Sequence, residues 1–149
     1  MTPRPARLHH LPHLWAVLRS ATRTTPGLPG IPNGLADFLA LARVTMRGRV
    51  RYLADAAGPA GFLVRDGHMV HALYVHPRAQ GQGIGRALLA EAKARVGALD
   101  LWVLEQNRSA RRFYIRAGFA EKTRARGAGN DANLPDILMV WPPERRAEP

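Results

Sequence analysis

The chain contains no cysteine, which excludes disulfides, thiolate metal sites and a cysteine nucleophile. Lysine is nearly absent: Lys93 and Lys122 are the only two, and every other basic side chain apart from histidine is arginine. Carboxylates are also scarce, 11 against 22 Lys and Arg, so the formal net charge is +11. No apolar run approaches the roughly 18 residues of a membrane-spanning helix. The amino-terminal stretch carries Arg4 and Arg7, but three histidines and Pro12 break it up, unlike a secretory signal. The expectation is a soluble, cytoplasmic protein. Aromatics are few at 7%, and the arginines lie scattered, with no basic stripe interleaved with rings to mark a nucleic-acid reader. An arginine bias beside abundant Ala, Gly and Pro fits GC-rich coding as well as it fits an anionic partner. At 149 residues the chain is long enough for one domain with a proper core, spanning 1–149.

What the sequence does have is a concentration of glycine at one point. Met69 to Val75 is a short apolar run that reads as a strand. It leads into His76-Pro-Arg78-Ala-Gln80-Gly81-Gln82-Gly83-Ile84-Gly85-Arg86. Ile84, Leu88, Ala92 and Val96 then recur every four residues, an apolar stripe at helical period. Glycines at alternate positions leave peptide N–H groups uncovered at the mouth of a helix, the end that carries about half a positive charge. Such a turn is an anion cradle, and a pyrophosphate is the expected guest.

Three glycine motifs compete for it. A P-loop requires Gly-Lys-Ser/Thr, whereas Gly85 is followed by Arg86 and Ala87. A dinucleotide fingerprint requires a glycine where Arg86 stands, although Glu105 lies at the right distance for its acidic partner. Gln/Arg-x-x-Gly-x-Gly/Ala is met in full by Gln80 to Gly85. Downstream, Asn107, Ala110, Phe113-Tyr114 and Gly118-Phe119 form a second ordered set. On these two segments the chain resembles the GCN5-related N-acetyltransferases, over roughly residues 48–142.

The resemblance implies a mixed α/β (α+β) acyl-CoA N-acyltransferase fold, with a central, mostly antiparallel sheet splayed between the Met69 and Leu99 strands. It implies acetyl-CoA as co-substrate and an amine as acceptor. Cofactor contacts are expected from Leu73, Val75, Arg78, Gln80, Gly81, Gln82, Gly83, Ile84, Gly85, Arg86, Asn107, Ala110, Phe113 and Tyr114. Of the arginines, Arg78, Arg86 and Arg111 are the candidates for coenzyme A phosphates. Leu73 and Val75 line the pantetheine path, and the Val75 N–H is the expected donor to the acetyl carbonyl. Many members pair as homodimers. A non-catalytic acyl-CoA-binding module on the same fold is the alternative of a different class, and a basic nucleic-acid-associated protein is a third.

The chemistry sets three demands. An alkylammonium with a reference pKa near 10.4 is about one part in a thousand neutral at pH 7, so a proton acceptor is needed. The departing thiolate, near 8.5, takes a proton from a nearby hydroxyl. The developing oxyanion needs a fixed donor. By the resemblance Tyr114 is the acid; packing as a core aromatic beside Phe113 is the plainer reading. His71 is the candidate base, because His71-Ala-Leu-Tyr-Val75 resembles the stretch in arylalkylamine N-acetyltransferases where a histidine has that role. Strand period two would align His71 with Leu73 and Val75. A structural histidine, or a water chain in its place, stays open. His9 and His13 lie four apart on an expected helix, but no HExxH pattern accompanies them, and no metal is expected.

Taken in order, Leu8 to Ala21 reads as a helix, Thr24 to Gly34 as a Pro/Gly loop and Leu35 to Arg43 as a second helix. Met1 to Arg7, with Pro3 and Pro5, is a poor strand, so the family's opening strand is doubtful. Val50 to Asp55 and Gly61 to Arg65 are strands joined around Gly58-Pro59, with a tight turn at Asp66-Gly67. Leu99 to Leu104 reads as a buried strand. A helix runs from an Asn107 cap to Ala117. Phe119 to Arg124 and Ile137 to Trp141 are the last strands, with a polar loop between, and the residues after Pro142 form a frayed tail. The acids able to meet a cationic acceptor are Glu105, Glu121, Asp131 and Asp136.

Overall fold

The computed structural model describes residues 2–24, 34–126 and 134–146. In chain order the elements are β1 (Arg4–Pro5), α1 (Leu11–Thr24), α2 (Leu35–Met46), β2 (Val50–Asp55), β3 (Gly58–Asp66), β4 (Met69–Val75), α3 (Ile84–Val96), β5 (Leu99–Leu104), α4 (Arg108–Arg116), β6 (Ala120–Ala125) and β7 (Asp136–Trp141). The strands form one sheet in the order β1-β2-β3-β4-β5-β7-β6. Every pair is antiparallel except β4 with β5.

Alternation along the strands sends side chains to two cores. Val50, Phe62 and Val64 join Leu11, Leu14, Val17 and Leu18 of α1 and Leu41 of α2 on one face. Leu53, Leu63, Val70, Leu99, Leu101 and Met139 meet Ile84, Leu88, Leu89 and Ala92 of α3 on the other. Among the described residues two threonines are buried, Thr22 and Thr45, and they donate their hydroxyls to the Leu18 and Leu41 carbonyls at 2.8 and 2.7 Å. Their burial therefore leaves no hydroxyl unbonded.

Several expectations are corrected. Pro12 does not break the first helix, because it sits in the first turn, where its missing N–H has no partner to lose. The doubted opening strand exists as two residues, Arg4 and Pro5, paired with Tyr52 and Arg51. An edge position is where proline is tolerated. Gly58-Pro59 is not a turn; Pro59 and Gly58 pair with Ala54 and Asp55 past a bulge, and the hairpin turns at Ala56-Ala57. The next turn is Gly67-His68, one residue later than expected, with Gly67 at φ +59. α2 extends to Met46. β5 is not buried throughout: Trp102 is 43% exposed, since the α3 core takes only alternate residues of that strand. The residues after Pro142 are docked as far as Arg145, which donates to the Leu99 carbonyl and pairs with Asp100. Most of the Thr24–Gly34 and Ala125–Pro135 loops, with Asp131, lies outside the described residues.

Candidate active site

The site begins where two parallel strands part. β4 and β5 are in register only at Met69 with Asp100 and Val70 with Leu101. Beyond that point the β5-facing edge of β4 has no strand partner among the described residues. On its other edge β4 follows β3 through Gly61 opposite Val75, and the His76 N–H continues the ladder to the Ala60 carbonyl at 2.7 Å. Successive N–H groups of a strand point to opposite edges, so the Val75 N–H is directed into the split. Leu73 and Val75 both pack on the α3 side.

At the end of β4 the chain makes a 3-10 turn, Pro77–Ala79, started by the His76 ring, which accepts the Arg78 N–H at 3.1 Å. The Gln80 side chain donates back to the Val75 carbonyl at 3.3 Å. Gly81 and Gly83 then adopt φ +79 and +83, and Gly83 is the N-cap of α3. No side chain caps the helix and no acid stands in its first turn. The first intrahelical bond is Ala87 N–H to the Gly83 carbonyl. The N–H groups of Ile84, Gly85 and Arg86 therefore have no partner within the helix. A Cβ added at Gly81 or Gly83 would meet nothing within 4 Å. These features fit an anionic diphosphate: free donors, open space above them and no competing carboxylate. Gly85 serves another purpose, since a Cβ there would come within 3.0 Å of the Phe113 ring. Its absence lets α4 close against α3.

Gly83→Ala is expected to place an L residue in left-handed geometry at a cost of roughly 1–2 kcal/mol. It should also put a methyl group where the diphosphate would lie. Titration with coenzyme A should show weakened binding with the fold retained; unaltered affinity would show that this turn is not the cradle.

Asn107 caps α4 as expected, its side-chain oxygen accepting the Ala110 N–H at 3.2 Å. α4 carries Ala110, Phe113 and Tyr114 against the same core that holds Leu73 and Val75. Tyr114 lies edge-on between Phe113 and Phe119, at 5.2 and 5.6 Å between ring centroids. Burial, with a smaller contribution from Tyr74, pushes the Tyr114 hydroxyl well above the ordinary tyrosine range. It stays protonated at neutral pH and keeps its proton available for donation. Lys93 ties α3 to the end of α4: its ammonium donates to the Ala117 carbonyl and lies 5.0 Å from the Trp141 ring centroid. Burial lowers its pKa.

His71 is exposed on β4, and the strict alternation that would align it with Leu73 and Val75 is interrupted there. Val64 opposes Ala72 and Arg65 opposes Val70, so His71 is the extra residue of a bulge. Sequence period cannot register such an insertion.

The arginines sort themselves by partner. Arg78 is held by Asp55 at 3.1 Å and by the Gly58 and Pro59 carbonyls, at the β2–β3 hairpin. Arg111 pairs with Glu121 at 2.9 Å and donates to the Glu105 carbonyl, while Glu105 pairs with Arg124 at 2.8 Å. Arg86 alone of the three phosphate candidates has no ion-pair partner among the described residues. It borders a concavity of about 430 Å³ together with Ser109, Arg112, Phe113, Arg116 and Ala117. Arg112 and Arg116 went unnoticed in the sequence, although their spacing of four within a helix puts them on one face. Among the described residues no group of three or more His, Cys, Asp or Glu is arranged to hold a metal, and no helix is long and apolar enough to cross a membrane.

Comparison with known proteins agrees with this geometry. Residues 47–121 match the model of the acetyltransferase (GNAT) domain. The chain is 35% identical over 87 residues to the peptidyl-lysine N-acetyltransferase YjaB of Salmonella typhimurium, covering 58% of this chain and 59% of that one. It is 34% identical over 83 residues to the peptidyl-lysine N-acetyltransferase YiaC of Escherichia coli, covering 55% and 56%. The chain thus spans less than two thirds of the length of these curated relatives. In fold it resembles the solution structure of apo YjaB from Escherichia coli (TM-score 0.74, 21% identity, 95% and 97% of the two chains). It also resembles yncA from Salmonella typhimurium with its cofactor acetyl-CoA (TM-score 0.72, 20% identity, 100% and 97%).

Proposed function

The chain belongs to the acetyltransferase (GNAT) domain family, and from that premise we propose that it is an N-acetyltransferase moving the acetyl group of acetyl-CoA to a primary amine. The observation that carries this reading is the opening of the β4–β5 split onto an uncapped, acid-free helix mouth. A long thioester carrier can lie along the strand edge with its diphosphate on Gly81 to Arg86. Bound acetyl-CoA supplies the activated acyl carbon.

The remaining work falls to this chain. The Val75 N–H donates to the thioester carbonyl oxygen as charge gathers there. The amine nitrogen bonds to the acyl carbon while the carbon–sulfur bond breaks. Tyr114 gives its proton to the departing sulfur, and His71, directly or through water, takes the proton the amine loses. Leu73 and Val75 face the carrier, and Asn107, Ala110 and Phe113 support the strand of contacts from α4. For acceptor we propose the lysine side chain of a protein; the support is that the relatives YjaB and YiaC are named peptidyl-lysine N-acetyltransferases.

Free thiol should appear when acetyl-CoA is combined with a lysine-containing peptide, and a panel of small amines will rank the acceptors. Binding of coenzyme A with no thiol release from any amine would leave a non-catalytic carrier-binding module instead. With His71 as the base, His71→Ala should lower kcat/KM by roughly 10²-fold or more while the affinity for coenzyme A is retained. Unchanged kcat/KM in the variant would exclude His71 from proton transfer.

A further inference from the structure

An enzyme that acetylates protein lysine can also meet itself as substrate. This chain carries two lysines, Lys93 and Lys122, and the fold treats them oppositely. Lys93 is half-buried between α3 and the end of α4, where its ammonium donates to the Ala117 carbonyl. The Trp141 and Phe119 ring centroids lie 5.0 and 5.8 Å from the same nitrogen. That nitrogen must leave its carbonyl and both rings before it can attack an acyl carbon. Lys122 is exposed in β6, the last strand in the sheet order, whose outer edge has no strand partner among the described residues. The β6–β7 register shifts between Glu121 and Thr123, so Lys122 is the extra residue of a bulge. Glu121 and Arg124 beside it are engaged with Arg111 and Glu105, and Lys122 has no ion pair among the described residues. An extended segment with one open edge presents backbone and side chain much as a free peptide does.

Resting on the lysine-acceptor reading, we propose that Lys122 is a self-acetylation site, modified in trans by the active site of a second copy of this chain. Its own site is out of reach. β6 lies three strand steps from β4, which carries the Val75 N–H, about 14 Å at the usual strand spacing and farther than a lysine side chain extends. In the step, the Lys122 nitrogen bonds to the acyl carbon of acetyl-CoA held by the second copy, and the carbon–sulfur bond breaks. The ammonium gives up two protons: one ends on the departing sulfur, the other in solvent. The products are an uncharged acetyl-lysine and a free thiol. Scarcity of lysine confines lysine self-modification to this position, because arginine elsewhere keeps the charge without a nucleophilic amine.

Peptide mass spectrometry of the full chain after incubation with acetyl-CoA reads the site directly. Lys122 should be acetylated and Lys93 bare, with the fraction modified per minute doubling when the protein concentration doubles. The rate at Lys122 should exceed that in guanidinium-unfolded chain by roughly 10²-fold, the scale of positioned proton transfer. In the unfolded chain both lysines should react alike. Lys122→Arg, at an exposed position, should leave no acetyl-lysine on the chain yet acetylate a lysine-containing peptide at the wild-type rate. A fraction independent of protein concentration, a mark on Lys93 with Lys122 bare, or an unmarked Lys122 while the peptide is acetylated would overturn the assignment. If neither the peptide nor Lys122 is acetylated, the lysine-acceptor reading itself fails, and this proposal with it.

Discussion

Tyr114→Phe is expected to lower kcat by roughly 10²-fold or more, the scale of a positioned general acid, with little change in the affinity for coenzyme A. Phenylalanine keeps the ring that packs between Phe113 and Phe119, so α4 should hold its place. What is lost is the hydroxyl. Burial raises its pKa far above neutrality, so the wild-type group is uniformly protonated through the working pH range. A thiolate leaving with a reference pKa near 8.5 would have to depart unprotonated in the variant. Steady-state kinetics with a good acceptor, beside a binding titration, tests this. Full turnover in the variant would make Tyr114 a core aromatic and nothing more.

The second large effect is on stability. Leu88 is 1% exposed in the α3 core and lies one helical turn beyond Ile84, below the glycine turn. Leu88→Ala removes three buried carbons and leaves a void, at an expected cost of about 2–5 kcal/mol. That is a large share of the roughly 5–15 kcal/mol of a typical domain. For a chain of this size it corresponds to a fall in Tm of roughly 5–20 °C. Calorimetry reads it directly. An unshifted transition would mean that α3 does not rest on the sheet through this residue, and the helix mouth would lose its fixed relation to the split.

The glycine turn and the start of α4 were legible in the sequence because backbone geometry dictates their residues. Gly81 and Gly83 occupy positive φ, Gly85 is crowded by Phe113, and Asn107 caps its helix through its own side chain. Each of those needs is local, and so is its signal. The split between β4 and β5 was expected from the family resemblance, and the register, two residue pairs and no more, has that form.

The charges were a different matter. Arg78 and Arg111 read as free cations beside a phosphate site, yet each is claimed by an acid distant in sequence, Asp55 and Glu121. Pairing across elements has no local pattern to betray it. The bulge at His71 and the exposure of Trp102 were hidden for a related reason. Both depend on what the neighbouring strands and helices do, and a run of apolar residues looks the same whether one face is covered or two. By contrast, the shared face of Arg112 and Arg116 was readable from helical spacing alone; it acquires meaning only when α3 brings Arg86 beside it.

Central to the whole account is a diphosphate held by peptide amides at the start of α3. The most direct measurement is the structure of the chain crystallised with acetyl-CoA. The diphosphate oxygens should lie within hydrogen-bond reach of N–H groups between Gly81 and Arg86, with the acetyl carbonyl at the Val75 N–H. A carrier seated elsewhere, or absent at saturating concentration, would contradict it.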